Sequence, residues 1–296
     1  MSQSATAPAT AHASTSASAP SYFIPQPSTW PIFGSFALFF MATGAALWMN
    51  DENWGKYLLI GGLCTLFYML FGWFGVVIRE SEGGKYSERV DASFRWSMGW
   101  FIFSEVMFFA AFFGALFYMR VISVPGLSDL DNRLLWPEFT AGWPIAGPGI
   151  RETFETIPAL GLPAINTLLL LTSGVTITLA HWALIANNRP ALLRWMVATI
   201  ALGSVFLFVQ GFEYVHAWKD LNLQLDMGAY GATFFMLTGF HGFHVTIGTI
   251  MLIVITVRCA RGHFTPDHHF GFEGVAWYWH FVDVVWLLLF VVVYAL

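Results

Sequence analysis

Two ionisable side chains lie inside an apolar segment near the end of the chain. His280 and Asp283 are three residues apart within residues 275–296, which are otherwise almost entirely apolar. This spacing puts both side chains on one face of a helix. An ionisable side chain in hydrocarbon costs roughly 2.5–3.5 kcal/mol on insertion scales, so it normally faces protein or trapped water. The pair therefore predicts a surface inside the protein or facing a partner.

A lone carboxylate marks another apolar segment. Glu105 is surrounded by Phe and Met side chains within residues 96–119. Its charged form is costly there because the apolar surroundings solvate it poorly. Two interpretations are open: a group that exchanges protons, or a neutral acid that hydrogen bonds to a neighbouring helix.

Two more apolar segments carry polar pairs at helical spacing. Glu213 and His216 end one segment, and His241 and His244 lie in the next. The Glu-x-x-His spacing is that of di-iron helical bundles, but such bundles need two of these motifs and the chain has one. We therefore favour hydrogen bonds from His241 and His244 to Glu105 or Glu213 across helices. The alternative is a membrane metalloenzyme built on Glu213, His216, His241 and His244.

The apolar segments are thus predicted to share a buried polar network, with no catalytic residue. Its members are expected to be Glu213, His216, His241, His244, His280 and Asp283. A second alternative is a self-sufficient proton-coupled transporter with Glu105, His241 and Asp283 as a relay. The chain shows neither an internal repeat nor helices broken by Pro or Gly at mid-membrane, which that class favours.

A hydrophilic segment near the end of the chain is rich in histidine. His263, His268 and His269 could in principle bind zinc, but no cysteine accompanies them. Basic groups at a cytoplasmic membrane boundary more often bind lipid phosphate. The two cysteines, Cys64 and Cys259, form no Cys-x-x-Cys pair and read as buried or interfacial apolar residues. We predict no metal in this chain.

The composition indicates that the chain is a membrane protein. The chain of 296 residues is 57% hydrophobic and only 10% charged, against about 25% charged in soluble domains. Its 13 Lys and Arg are scattered singly, which argues against nucleic acid. Seven apolar stretches are long enough to cross about 30 Å of hydrocarbon as helices. They are residues 31–49, 57–78, 96–119, 159–186, 195–216, 230–257 and 275–296.

The basic residues predict an orientation. Eight of the 13 Lys and Arg fall in the second, fourth and sixth loops, whereas the short odd-numbered loops hold only Lys56 and Lys219. Positive loops stay in the cytoplasm, so the N-terminus is expected inside and the C-terminus in the periplasm.

Composition also divides the chain. Residues 1–20 are rich in Ala, Ser and Thr and are expected to form a disordered tail. Residues 21–80 hold helices 1 and 2, and residues 81–95 a polar cytoplasmic linker. Residues 96–296 hold helices 3–7, with a long external loop over residues 120–158. The fold class is therefore all-α and integral to the membrane.

Several motifs together resemble subunit III of the haem–copper cytochrome c oxidases. They are VIRES at 77–81, SEVMFF at 104–109, LTSGVTIT at 171–178, YGATFF at 230–235, TGFHGFH at 238–244 and HHFGFEGVAWYWHFVDVVW at 268–286. The matches occur in order across residues 22–296. Residues 1–20 match nothing in the family pattern.

The resemblance implies a fold and a role. The first two helices and the last five would form the two arms of a V, with phospholipid in the cleft between them. By the same resemblance, Arg79, Arg258 and His263 would contact lipid phosphate. The family's carbodiimide-reactive carboxylate carries onto Glu105. Family members hold no haem or copper, which belong to subunits I and II of the complex.

The implied complex oxidises cytochrome c, reduces O2 to water and pumps protons. This chain would stabilise subunit I, its direct partner, and support proton uptake. Subunit II, small subunits and other respiratory complexes are further expected partners. Since no presequence is visible and the tail looks bacterial, the expected location is a bacterial plasma (inner) membrane rather than a mitochondrial inner membrane.

Overall fold

The seven predicted spans are confirmed as helices. A computed structural model describes residues 23–129, 131–150 and 152–296, and these are all-helical, without a strand. Seven of its helices are long and apolar enough to cross a membrane. They are α1 (Trp30–Met49), α2 (Gly55–Glu82), α3 (Glu88–Phe117), α4 (Leu162–Ile185), α5 (Arg189–Lys219), α6 (Gly228–Ala260) and α7 (Phe270–Leu289). The tail predicted over residues 1–20 lies outside the described residues.

Local sequence signals set several helix ends. Helices α1, α4 and α5 each have a proline in their first turn, where its missing N–H costs no intrahelical hydrogen bond. Asn188 caps α5 by accepting a hydrogen bond from the backbone N–H of Ala191 at 3.2 Å. Gly262 follows α6 with φ +79°, a left-handed conformation that glycine adopts readily and that ends the helix.

Several helices extend beyond the apolar stretch that predicts them. Helix α3 begins at Glu88, so most of the linker expected over residues 81–95 is helical and only residues 83–87 lie outside α2 and α3. Glu88 and Asp91 fall in the first turn of α3, where carboxylates favour the positive end of the helix dipole. At its other end, α3 continues through a π-helical turn, Tyr118–Ser123, to Gly126.

The chain divides into two compact units, Met1–Ser93 and Phe94–Leu296. In the first unit, α1 and α2 pack closely because glycines line their contact. A Cβ added at Gly62 would lie 2.8 Å from the backbone N of Met41, and one at Gly44 would clash with the backbone of Leu59. Small residues at such contacts are the usual means of packing helices in lipid.

The second unit is organised around α7. Within the apolar part of α7, 56% of the residues are buried, against 11% in α3. Trp279 is fully buried and donates a hydrogen bond from Nε1 to Ser173 Oγ at 2.8 Å. Its ring fits against Gly203 of α5 and Gly248 of α6, where an added Cβ would come within 2.7 and 2.9 Å of it. One indole therefore joins four helices.

The long loop between α3 and α4 is fixed to the end of the second unit from which α6 begins. The backbone N–H of Ala229 donates to the carbonyl of Ala146 at 2.8 Å. Trp143 and Phe154 pack against the ring of Tyr230, with centroid distances of 5.6 and 5.4 Å. The loops before α4 and before α6 thus meet at one end, as an even number of intervening spans requires.

Candidate functional site

The carboxyl of Glu105 on α3 is joined to an imidazole on α6. Glu105 Oε2 and His244 Nε2 are 2.9 Å apart. The other ring nitrogen of His244, Nδ1, is 2.6 Å from the carbonyl oxygen of Phe240. A carbonyl oxygen only accepts, so Nδ1 carries a hydrogen. The Glu105–His244 contact then contains a single shared proton, held either by the carboxyl or by Nε2.

Aromatic side chains enclose the imidazole of this pair and leave the carboxyl less covered. The rings of Phe108, Phe109 and Phe281 lie 5.0–6.3 Å from the His244 ring by centroid. The side chain of His244 is 9% exposed and that of Glu105 is 22% exposed. Glu105 is therefore the more exposed member of the pair.

A second polar group combines α4 and α7. His280 Nδ1 lies 3.6 Å from Asp283 Oδ2, and His280 Nε2 lies 3.3 Å from Thr178 Oγ1. Asp283 approaches the α4 backbone at Gly174, where any Cβ would clash with its carboxyl oxygen. The side chain of Asp283 is 8% exposed, whereas that of His280 is 45% exposed.

The His280–Asp283 pair lies at an open groove between α4 and α7. The groove has a volume of about 480 Å³. Apart from Thr178, His280 and Asp283 its lining is Leu171, Gly174, Val175, Leu179, Trp182, Val284 and Leu287. A mostly apolar wall with one polar group is suited to contact with lipid chains or with another transmembrane helix.

Glu213 forms a third, separate group. Its fully buried carboxylate accepts a hydrogen bond from Tyr294 Oη at 2.6 Å through Oε1, and Gln210 Nε2 lies 3.5 Å from the same oxygen. His216 is not part of this group: its ring contacts Asp220 at 2.6 Å and its side chain is 40% exposed. The prediction that His216 is buried was wrong, because the last turn of α5 reaches the surface.

The expected single network is therefore replaced by separate pairs. His241 donates from Nε2 to the carbonyl of Val282 at 3.1 Å, rather than to Glu105 or Glu213. Between described residues no hydrogen bond directly joins the relay proposed for a transporter, Glu105, His241 and Asp283. The four side chains of the metalloenzyme alternative likewise have different partners, so their arrangement does not form a ligand set.

One group of potential metal ligands does converge among the described residues. His181, His269 and Glu273 each offer a ligand atom, and these atoms lie within 4.8 Å of one another. Of the three histidines considered for zinc from the sequence, only His269 belongs to this group. His181 and Glu273 were not expected there, although the His-x-x-x-Glu spacing at the start of α7 signals that His269 and Glu273 share a face.

The expected lipid contacts lie at helix ends. Arg79 is in the last turn of α2. The guanidinium of Arg258, in the last turn of α6, lies 4.4 Å from the ring centroid of Phe264. The backbone N–H of His263 donates to the carbonyl of Arg258 at 3.1 Å, which brings these two basic residues to one turn.

Comparison with known proteins gives consistent matches along the chain. The family model described as cytochrome c oxidase subunit III matches residues 20–296. The chain is 42% identical to cytochrome c oxidase subunit 3 of Marchantia polymorpha over 274 residues, 92% of this chain and 95% of that protein. The corresponding protein of Triticum aestivum is 40% identical, over 93% of this chain and 96% of its own length. That of Equus caballus is 39% identical, over 92% and 96%.

Proposed function

Because the chain belongs to the cytochrome c oxidase subunit III family, we propose that it is a non-redox membrane subunit of an aerobic cytochrome c oxidase. The complex would oxidise cytochrome c, reduce O2 to water and pump protons, with haem and copper held by subunits I and II. This chain would stabilise subunit I, bind phospholipid and support proton uptake.

The observation that carries the proton role is the hydrogen bond between Glu105 and His244. A pair that shares one proton is neutral wherever that proton lies, so the proton can move between the enclosed imidazole and the partly exposed carboxyl of Glu105 without a net buried charge. The backbone carbonyl of Phe240 holds the ring in the required tautomer.

The lipid role is supported by Arg258 and His263 at the end of α6 and by Arg79 at the end of α2. Arginine at a membrane boundary attracts anionic headgroups by roughly 1 kcal/mol per side chain. We place these helix ends on the cytoplasmic side, as the distribution of basic loops predicts. The N-terminus would then be cytoplasmic and the C-terminus periplasmic.

The partner role is supported by the groove between α4 and α7. His280 is 45% exposed at a position inside a membrane span. An ionisable side chain is costly where it faces lipid, so the exposed side of this ring is expected to be covered by protein. We propose that another polypeptide of the complex, subunit I foremost, covers it; subunit II and small subunits are further candidates.

The proposed membrane is a bacterial plasma membrane, on the sequence pattern of residues 1–20. The compared relatives include plants and animals, so the mitochondrial inner membrane is the alternative.

The proton role is tested by replacing Glu105 in the assembled oxidase. Glu105→Gln keeps the size of the side chain but cannot exchange a proton with His244. We expect proton uptake during turnover to slow several-fold at alkaline pH, where free protons are scarce, and little at neutral pH. The visible spectrum and subunit composition should stay unchanged.

The matched control is Glu138→Gln, the same acid-to-amide change at an exposed loop position. It should leave uptake unchanged at every pH. If Glu105→Gln behaves like Glu138→Gln across the alkaline range, Glu105 serves packing only and the proton role is refuted.

A further inference from the structure

The group formed by His181, His269 and Glu273 lies where three helix ends meet. His181 is in the last turns of α4, His269 precedes α7 and Glu273 is in the first turn of α7. Arg95, near the start of α3, reaches the same place. The carboxylate of Glu273 contacts both Arg95 and His269, and so connects these elements. The contact with His269 is not explained by a simple hydrogen bond.

The tautomer of His269 leaves a lone pair facing a carboxylate. His269 Nδ1 is 3.1 Å from the carbonyl oxygen of Thr265, so Nδ1 carries the hydrogen. In the neutral ring Nε2 is then an acceptor, and it faces Glu273 Oε1 at 3.3 Å. Two acceptors at this distance need a positively charged species between them. That species is either a proton, on the ring or on the carboxyl, or a metal ion.

Arg95 fixes the other carboxylate oxygen. Its Nε donates to Glu273 Oε2 at 2.7 Å, which leaves Oε1 directed at the histidines. Supporting contacts of this kind orient metal ligands in proteins: a backbone carbonyl on the far side of an imidazole, and a hydrogen bond on a ligating carboxylate.

The environment of His181 favours a metal ion over a second proton on His269. Its Nε2 is buried and has no hydrogen-bond partner. The ring lies 5.3 Å from that of His269 by centroid and 5.4 Å from that of Phe272. A second proton on His269 would satisfy Glu273 but leave this nitrogen unpaired, at the cost of an unsatisfied buried polar group. A metal ion between the three side chains would satisfy every member.

We propose that His181 Nε2, His269 Nε2 and Glu273 Oε1 bind a divalent zinc ion, with water as the fourth ligand. Two imidazoles and one carboxylate match the ligand preference of zinc rather than that of magnesium or calcium. Tetrahedral zinc with ligands at about 2.0–2.2 Å puts ligand atoms about 3.3 Å apart. Small side-chain rotations close the present separation of up to 4.8 Å. This site revises the expectation of a metal-free chain and adds no redox chemistry.

The test measures zinc on the full-length chain in detergent, independently of any oxidase activity. After chelator treatment, Zn²⁺ binding is followed by equilibrium dialysis, and Co²⁺ serves as a visible-absorption reporter of tetrahedral coordination. We expect one Zn²⁺ per chain and a Co²⁺ spectrum typical of tetrahedral nitrogen and oxygen ligands. His181→Ala and His269→Ala should each weaken binding by about 10- to 100-fold or more. Helix content, measured by circular dichroism, checks that each variant folds. If an alanine variant does not fold, the glutamine variant of the same histidine replaces it.

Two matched variants sharpen the result. His268→Ala removes an exposed histidine next to His269 and should leave zinc affinity unchanged. Arg95→Gln removes the hydrogen bond that orients Glu273 and should weaken zinc binding by about 10- to 100-fold, whereas a purely structural ion pair would predict no zinc binding with or without Arg95. Equal zinc binding by the parent chain, His181→Ala and His269→Ala would overturn the site, as would no binding by the parent chain.

Discussion

At the scale of single residues, backbone carbonyls determine what the buried histidines can do. His244 and His269 each direct Nδ1 to the carbonyl four residues earlier, at Phe240 and Thr265. The carbonyl fixes the tautomer and leaves Nε2 to meet a carboxylate, Glu105 or Glu273. His241 instead uses Nε2 on the carbonyl of Val282. Identical side chains therefore differ in the partners they can bind because the backbone occupies a different ring nitrogen in each.

The sequence predicted part of this arrangement. Spacing alone indicated that His244 would hydrogen bond to Glu105 or Glu213, and it bonds to Glu105. The same reasoning failed for His241, because helical spacing gives the face of a side chain but not the rotation of the neighbouring helix. Every residue has a backbone carbonyl that can accept a hydrogen bond from an imidazole. The sequence therefore does not show which histidine will bond to the backbone instead of a carboxyl.

One prediction concerns Tyr86, which lies between α2 and α3, outside the apolar spans. Burial raises the pKa of this phenol to about 12, together with its hydrogen bond to Glu80 and the charge of that carboxylate. The folded state thus holds the proton more tightly, so this contribution to stability is present below pH 10 and is lost as pH rises towards about 12. The ultraviolet absorbance difference between the parent chain and Tyr86→Phe, which follows ionisation of the phenol, should show this midpoint.

The comparison variant for Tyr86 is Glu80→Gln. It removes the negative charge next to the phenol, and the midpoint should fall towards the ordinary value of 10.0. A midpoint already near that value in the parent chain would contradict the described contact.

A second residue-scale prediction concerns Arg258 and phospholipid. Arg258→Ala removes the guanidinium that packs on Phe264 at the end of α6. We expect bound phospholipid to be retained about fivefold more weakly, from roughly 1 kcal/mol per basic side chain, and the complex to lose activity sooner during turnover. Lipid phosphorus per complex, measured after detergent washing, checks this. Arg194→Ala, an exposed arginine in the first turns of α5, is the control; equal lipid loss in both would show that no specific site exists.

At the scale of helices, hydropathy predicted the membrane-crossing parts but not the full elements. Helix α3 starts at Glu88 and α5 at Arg189, each before the predicted apolar stretch begins. Charged residues can continue a helix into water, so the helix is longer than the apolar stretch that predicts it. The linker predicted over residues 81–95 was therefore mostly helix.

Close contacts between helices also escape a search for apolar segments. Gly174 on α4 admits the carboxyl of Asp283 from α7, and only the folded structure shows that the two meet. In sequence, Gly174 resembles the other glycines of the spans. A side chain at this position would clash with Asp283, which is about a hundred residues later in the chain.

Gly174 therefore provides an element-scale prediction. The added methyl of Gly174→Ala clashes with Asp283 Oδ2 and should separate α4 from α7 or displace the carboxyl, at a cost of about 1–3 kcal/mol. Thermal unfolding of the purified chain should show a lower midpoint. Gly242→Ala on α6 is the matched control, because a Cβ there meets nothing within 4 Å. Equal unfolding midpoints for the two variants would show that Gly174 does not set the α4–α7 contact.

At the scale of the whole molecule, the number of spans and the family were readable from sequence. Seven spans follow from composition and length. The family indicated by motifs between residues 77 and 286 is confirmed by the family model and by relatives about 40% identical. The V-shaped lipid cleft and the direction of the chain through the membrane stay predictions. Both depend on surroundings, lipid and partner subunits, that the order of residues does not encode directly.

The central claim is that the buried acids and imidazoles of this chain hold no redox centre. The most direct test is to purify the complex through a tag on this chain, record its reduced-minus-oxidised visible spectrum, and repeat haem and copper analysis after the chain is dissociated. We predict haem bands in the complex and neither haem nor copper with the separated chain. Stoichiometric haem or copper on the separated chain, or a complex without haem, would contradict the account.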